Sequence, residues 1–203
     1  MNKLLLIGIA AGAMLGFATA ASADATGVVN ITGTVPAQCG VVTGGPVGGS
    51  TFGSTVSLNV GGTIADANGH LLPALNTSTT NAASVTQSFQ VNCTGAGNHV
   101  TLAATPLAIA SPPTAQTGYV STVSYTAEAD FAVTSGAPNP VKLTQASGGS
   151  TSGDFASGVR LANAANNITI KAFTFNTAGG FANDILDAGA YAGAITVTVG
   201  PGV

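Results

Sequence analysis

The stretch 25–39, ATGVVNITGTVPAQC, constrains the fold more than any other part of the chain. Val29, Ile31, Val35, Ala37 and Cys39 stand on odd positions, with Asn30, Thr32, Thr34 and Gln38 between them, and Gly33 interrupts the apolar series. In an extended chain a period of two places the apolar side chains on one face. Cys39 closes the run on that face, so its sulfur is expected to point into a core. Such a strand suits an all-β domain held by a disulfide. It also suits an N-terminal strand that can be lent to another molecule.

The same alternation recurs downstream. Val56, Leu58 and Val60 alternate and stop at Gly61-Gly62; Phe89, Val91 and Cys93 alternate before the turn at 94–98, and Val100 and Leu102 resume after it. Tyr119, Val123 and Tyr125 share one face of an expected strand, and Phe131 and Val133 are read as the start of the next. Ile168 and Ile170 open a strand that runs through Phe173 and Phe175, with a change of face that marks a bulge. Ile195, Val197 and Val199 form the last run, ended by Gly200-Pro201-Gly202. The Gly-rich stretches 40–49 and 147–157 are expected to be loops, 178–190 a connection, and the segment holding Pro106, Pro112 and Pro113 a broken or edge piece. Beyond the N-terminal leader no segment carries apolar residues at i, i+3, i+4 and i+7 over three turns. Short strands punctuated by Gly, Pro and Asn indicate a β-sandwich.

Residues 1–23 have the make-up of a secretory signal peptide. Lys3 lies in a short positive start, an apolar run follows from Leu4 to about Phe17, and Ala18-Thr19-Ala20 and Ala21-Ser22-Ala23 both fit a cleavage site. Residues 24–203 are then expected to form one domain, with no transmembrane segment in the mature chain.

That chain carries three cations, Lys142, Arg160 and Lys171, against the seven acids of the sequence. So few cations cannot neutralise many phosphates, which argues against nucleic acid and against an anionic membrane surface. Low charge with 45 % hydrophobic residues also argues against disorder. The two cysteines, Cys39 and Cys93, lie on the apolar parity of their strands. In an exported chain an even count reads as a disulfide, and their separation matches no metal motif.

Catalytic chemistry has few candidates. His70 and His99 fall in a loop and beside a turn, and each is expected to be a solvated imidazole. Glu128 and Asp130 share parity and could pair, but a solvated strand end is the plainer reading. Asp184 and Asp187 match no calcium-loop spacing. No Gly-x-Ser-x-Gly, Gly-x-Gly-x-x-Gly or phosphate-loop motif is present. No catalytic residue, metal site or cofactor is therefore expected, and the chain does not read as an enzyme.

Several anchors resemble the spore coat protein U domain family, the pilin-like subunits of archaic chaperone–usher pili. They are VNITGTVPAQC (29–39), Phe52-Gly53, FQVNCTGAG (89–97) and the closing AGAYAGAITVTV (188–199), with a Gly-x-Tyr just before the last strand. Two features depart from the family pattern. Gly193 stands where an acid is usual, and Gly200-Pro201-Gly202-Val203 replaces an aromatic C-terminus. The resemblance implies an immunoglobulin-like, pilin-type β-sandwich that lacks one strand. A periplasmic chaperone would fill the gap and an outer-membrane usher would assemble the filament. In the filament the N-terminal strand of the next subunit would take the chaperone's place. On this reading 24–35 is the donor strand, Val29 and Ile31 are its plugs, Gly33 allows close approach, and Val35 continues the apolar row. The other reading is a self-complete secreted or surface-attached β-sandwich that binds an unidentified ligand.

Overall fold

The computed structural model describes residues 32–41, 63–77, 86–134 and 141–201. Within them the chain is all β, with one disulfide between Cys39 and Cys93. The helical element among the described residues is a single 3-10 turn, Pro73–Leu75. No helix among them is long and apolar enough to cross a membrane. The chain divides into two units, residues 1–34 and 35–203. The second carries all the strands described below.

Two sheets account for most of the second unit. The larger is built on β7 (Thr122–Phe131), which pairs antiparallel with β10 (Ile168–Asn176), with β8 (Val141–Ala146) and, at its start, with β5 (Leu107–Ile109). Its far members are β2 (Thr86–Phe89), paired with β10, and β12 (Tyr191–Ala192), paired with β5. The smaller sheet sets β4 (His99–Ala104) between β9 (Gly149–Asp154) and β13 (Ile195–Gly200). Two short ladders complete the set. One joins β1 (Cys39–Val41) to β3 (Val91–Cys93); the other is parallel, joining β6 (Tyr119–Val120) to β11 (Ile185–Leu186).

One apolar cluster draws on both sheets. Val100 and Leu102 come from the small sheet; Val123, Tyr125, Ala127, Ala129, Phe131, Ile168 and Ile170 come from the large one. This shared core is what two sheets packed face to face produce. The turn between β8 and β9 carries the chain from one sheet to the other. Its Ser147 amide donates to the Tyr125 carbonyl of the large sheet and its Gly148 amide to the Ala104 carbonyl of the small one, at 2.8 and 2.7 Å. Gly148 sits at φ +94°, a conformation that side chains oppose.

The structure corrects several expectations. Tyr119 does not share a strand with Val123 and Tyr125, because the chain breaks at Ser121 and leaves Tyr119 exposed. Phe131 ends β7 rather than opening a new strand, and Val133 lies beyond it in an isolated bridge to Leu161. The Gly/Ser stretch expected as a loop contains β9. Small side chains let it lie beside β4, and a Cβ at Gly149 would strike the Gln145 side chain. The connection 178–190 contains β11. The bulge in β10 is present: the register shifts between Phe173 and Asn176, and Thr174 takes φ +51°. Phe175 thereby turns into the core.

Asn167 shows how a side chain can extend a ladder. It is fully buried, its Oδ1 accepts from the Val91 amide at 2.9 Å, and its Nδ2 donates to the Val91 and Ala162 carbonyls at 2.7 Å. Among the described residues β3 pairs with β1 alone, and Asn167 gives the Val91 backbone a second partner. Asn167→Ala would leave both Val91 backbone groups buried and unpaired, and each such group costs roughly 1–3 kcal/mol. The expected outcome is a lower denaturant midpoint with an unchanged slope; an unchanged midpoint would refute the role.

Tyr125 packs 5.4 Å from Phe175 ring to ring, and its hydroxyl donates to the Ala194 carbonyl at 3.0 Å. Burial pushes this phenol up from 10.0 to about 12. The unfolded chain therefore loses this proton first as pH rises. Stability from Tyr125 is complete below pH 10 and is lost as pH climbs towards about 12. Thermal unfolding should show that alkaline decline, and Tyr125→Phe should flatten it.

Candidate functional site

The most unusual surface lies where the described chain begins. Residues 32–38 are exposed and form no strand; pairing starts only at Cys39. Val35 is 78 % exposed and Ala37 is exposed too, so this part of the apolar row does not face a core of its own chain. The physical reason is that no described strand lies alongside them. A Cβ built on Gly33 would meet nothing within 4 Å. Val29 and Ile31 lie outside the described residues, as do the leader 1–23 and the expected strand at Val56–Val60.

The segment is tied down at one end. Cys39 and Cys93 are direct register partners in the β1–β3 ladder, and the disulfide joins them. Thr94 holds the residues just before. Its amide donates to the Gln38 carbonyl at 2.9 Å, its hydroxyl donates to the Pro36 carbonyl at 2.8 Å, and that same oxygen accepts from the Gln38 amide at 2.9 Å. Buried Asn98 links this corner to the last strand, its Nδ2 lying 3.3 Å from the Gly200 carbonyl and 3.7 Å from Cys39 Sγ. Asn98 Oδ1 has no hydrogen-bond partner.

β13 offers an edge. It pairs with β4, and among the described residues no strand pairs with its other side. Val197 is buried, Ile195 and Val199 are half-buried, and Thr196 and Thr198 face out. Ahead of it, Tyr191 places its hydroxyl 3.0 Å from the carbonyl oxygens of both Val120 and Asp187, the latter four residues upstream. Burial raises this phenol, and the Asp187 charge adds to the rise.

Sequence reasoning missed a cluster of four charges. Glu128 and Asp130 are not a solvated strand end. On the outer face of β7 their side chains are only 9 % and 12 % exposed. Lys171 of β10 lies 3.1 Å from Glu128 Oε1 and in contact with Asp130 Oδ2; Lys142 of β8 lies 3.2 Å from Glu128 Oε1 and from Asp130 Oδ1. The Lys142–Asp130 approach has ion-pair distance without hydrogen-bond alignment, so Asp130 Oδ1 lacks a hydrogen bond. The neighbouring Asp130 carboxylate above all raises the pKa of both lysines. Parity put the two acids on one face; the lysines arrive from strands 14 and 43 residues from Glu128. Only a correct β7–β8–β10 pairing would have revealed them.

Of the two histidines expected to be solvated, His99 is exposed and His70 is not. His70 is half-buried, its Nδ1 3.0 Å from the Asp184 carbonyl and its amide donating to Asp66 Oδ1 at 2.9 Å. His99 is exposed and sits 2.6 Å from Asp154. Asp184 caps the Gly179 amide through Oδ2. No group of three or more metal-ligating side chains occurs among the described residues.

No protein-family model matches this chain, and no curated protein and no solved structure is matched by it.

The disulfide closes a loop with a sequence separation of 54 residues. Replacing both cysteines by serine removes that closure, which the chain-entropy relation values at about 4 kcal/mol at most. The double variant should unfold at a clearly lower denaturant concentration, and wild type unfolded without reductant should show no free thiol. Two titratable thiols, or an unshifted midpoint, would contradict this account.

Proposed function

We propose that the protein is a non-enzymatic structural subunit of a surface filament, assembled by donor-strand exchange between copies of itself or related subunits. The observation that carries the reading is the exposed segment 32–38, which lies in no strand, is anchored at Cys39 and bears Val35 in solvent. An alternating row that finds no groove in its own domain suits a groove in another molecule. Backbone hydrogen bonds would supply affinity, and side chains of one parity would fill pockets. The open side of Gly33 leaves room for a neighbouring backbone.

Three further features support this reading. β13 carries a half-buried apolar row beside an edge that no described strand covers, and an uncovered edge invites strand addition. The Tyr191 hydroxyl bonded to backbone four residues upstream resembles the tyrosine corner of immunoglobulin-like sandwiches. The anchors at 29–39, 89–97 and 188–199 resemble the spore coat protein U domain family. We therefore infer an immunoglobulin-like, pilin-type sandwich exported behind a signal peptide. A periplasmic chaperone and an outer-membrane usher are its assembly partners, and it carries neither cofactor nor metal.

The test uses Ile31. Seating that side chain in a neighbour's groove contributes about 1.5–3 kcal/mol. An aspartate there would forfeit this and bury a charge as well. Ile31→Asp is expected to leave monomer unfolding and the disulfide unchanged while abolishing polymers in the presence of the assembly partners. Thr32→Asp, on the opposite parity, should polymerise nearly as well as wild type. Polymers from Ile31→Asp at wild-type yield would sink the proposal. A destabilised Ile31→Asp monomer would favour the self-complete sandwich instead.

A further inference from the structure

The four-charge cluster is set out for a chemical step that an ion pair alone does not require. Lys171 Nζ touches Asp130 Oδ2, and both side chains project from the outer face of neighbouring strands. The register holds them there: Lys171 stands opposite Glu128, and Asp130 lies two residues along β7. A third group touches the same nitrogen, Glu128 Oε1 at 3.1 Å, and a fourth, Lys142 Nζ, lies 3.2 Å from the other Asp130 oxygen. Nucleophile, carbonyl carbon, proton carrier and a cation facing the developing oxyanion are thus all present.

We propose that Lys171 and Asp130 condense to an intramolecular amide that cross-links β10 to β7. The step is balanced without a co-reactant. The resting pair is an ammonium and a carboxylate. Glu128 carries one proton from Lys171 Nζ to Asp130, giving a neutral amine beside a neutral acid. The amine's lone pair attacks Asp130 Cγ, forming the N–C bond and placing negative charge on Oδ1, which Lys142 faces. Glu128 then removes a proton from the new ammonium nitrogen and delivers it to Oδ2. The Cγ–Oδ2 bond breaks, and Oδ2 leaves as water. Nothing is oxidised or reduced.

The charge balance of the site suits the product. Removing one cation and one anion leaves Lys142 and Glu128, which already lie 3.2 Å apart, so no charge is orphaned. Asp130 Oδ1, without a hydrogen bond in the acid, becomes an amide oxygen facing the Lys142 ammonium. The low exposure of both carboxylates keeps bulk water, the reagent of the reverse reaction, away from the bond. One event per chain suffices, so the step need not be fast. The resting ammonium, which Asp130 and Glu128 stabilise, sets its barrier.

The experiment is the intact mass of the mature, folded protein after full reduction of the disulfide. Wild type should be one water lighter than its sequence demands. Tandem mass spectrometry of a digest should find a branched peptide joining Lys171 to Asp130. Lys171→Arg keeps the positive charge but cannot form the bond, and Glu128→Gln removes the proton carrier; both should have full sequence mass. A reduced wild type at full mass overturns the proposal, as does a lost water with no branch at Lys171. The wild-type measurement decides by itself even if a variant fails to fold.

Discussion

The pairing of β7 with β10 is the constraint on which the rest of the described fold depends. Each strand is two-faced. One face supplies Tyr125, Ala127, Ala129, Phe131, Ile168, Ile170 and Ala172 to the core. The other brings Glu128 and Asp130 against Lys171. A slip of one residue would push the charges inward and the core residues out. The ion pairs and the apolar face therefore demand the same register. Buried ion pairs add little net stability against a well-packed apolar alternative. Their contribution here is to make the wrong pairing costly, since a slipped strand would strand a carboxylate away from its cation.

How much of this was legible in the sequence depends on where the signal lies. Alternation on its own exposed β4, β10 and β13, because one face of each is apolar and the other carries Thr, Lys or His. The bulge near Thr174 was legible too, since Phe173 and Phe175 break parity with Ile168 and Ile170. β7 was cut in the wrong place because alanines, which mark no strand, fill its core positions 127 and 129 between Tyr125 and Phe131. β9 was read as a loop because its partner β4 supplies the context that Gly and Ser lack. The disulfide followed from parity and count. The charged cluster did not, because lysines brought in by strand pairing leave no local trace around Glu128.

The segment before Cys39 illustrates a different limit. Like β13 it alternates with a period of two, yet Val35 stands in solvent and Val197 is buried. A period of two states that a strand has an apolar face. It does not state which molecule covers that face. The Thr94 clasp and the disulfide fix where the segment departs from the domain, so its first contacts are directed from that corner.

The small sheet has a consequence for when the domain can form. Its central strand β4 is flanked by β9 and by β13, and the bond between Thr105 and Ala194 at the head of the β13 pairing spans 89 residues. A chain made from its N-terminus cannot close that sheet until Ile195–Gly200 has emerged. Until then one side of β4 has no neighbour, and open strand edges of this kind associate with whatever strand is near. Pairing over such distances is also slow, because the loop must be closed before any contact rewards it. The interval between synthesis of β4 and arrival of β13 is therefore when this chain is most exposed to self-association, and β13 ends that interval as well as completing the sheet.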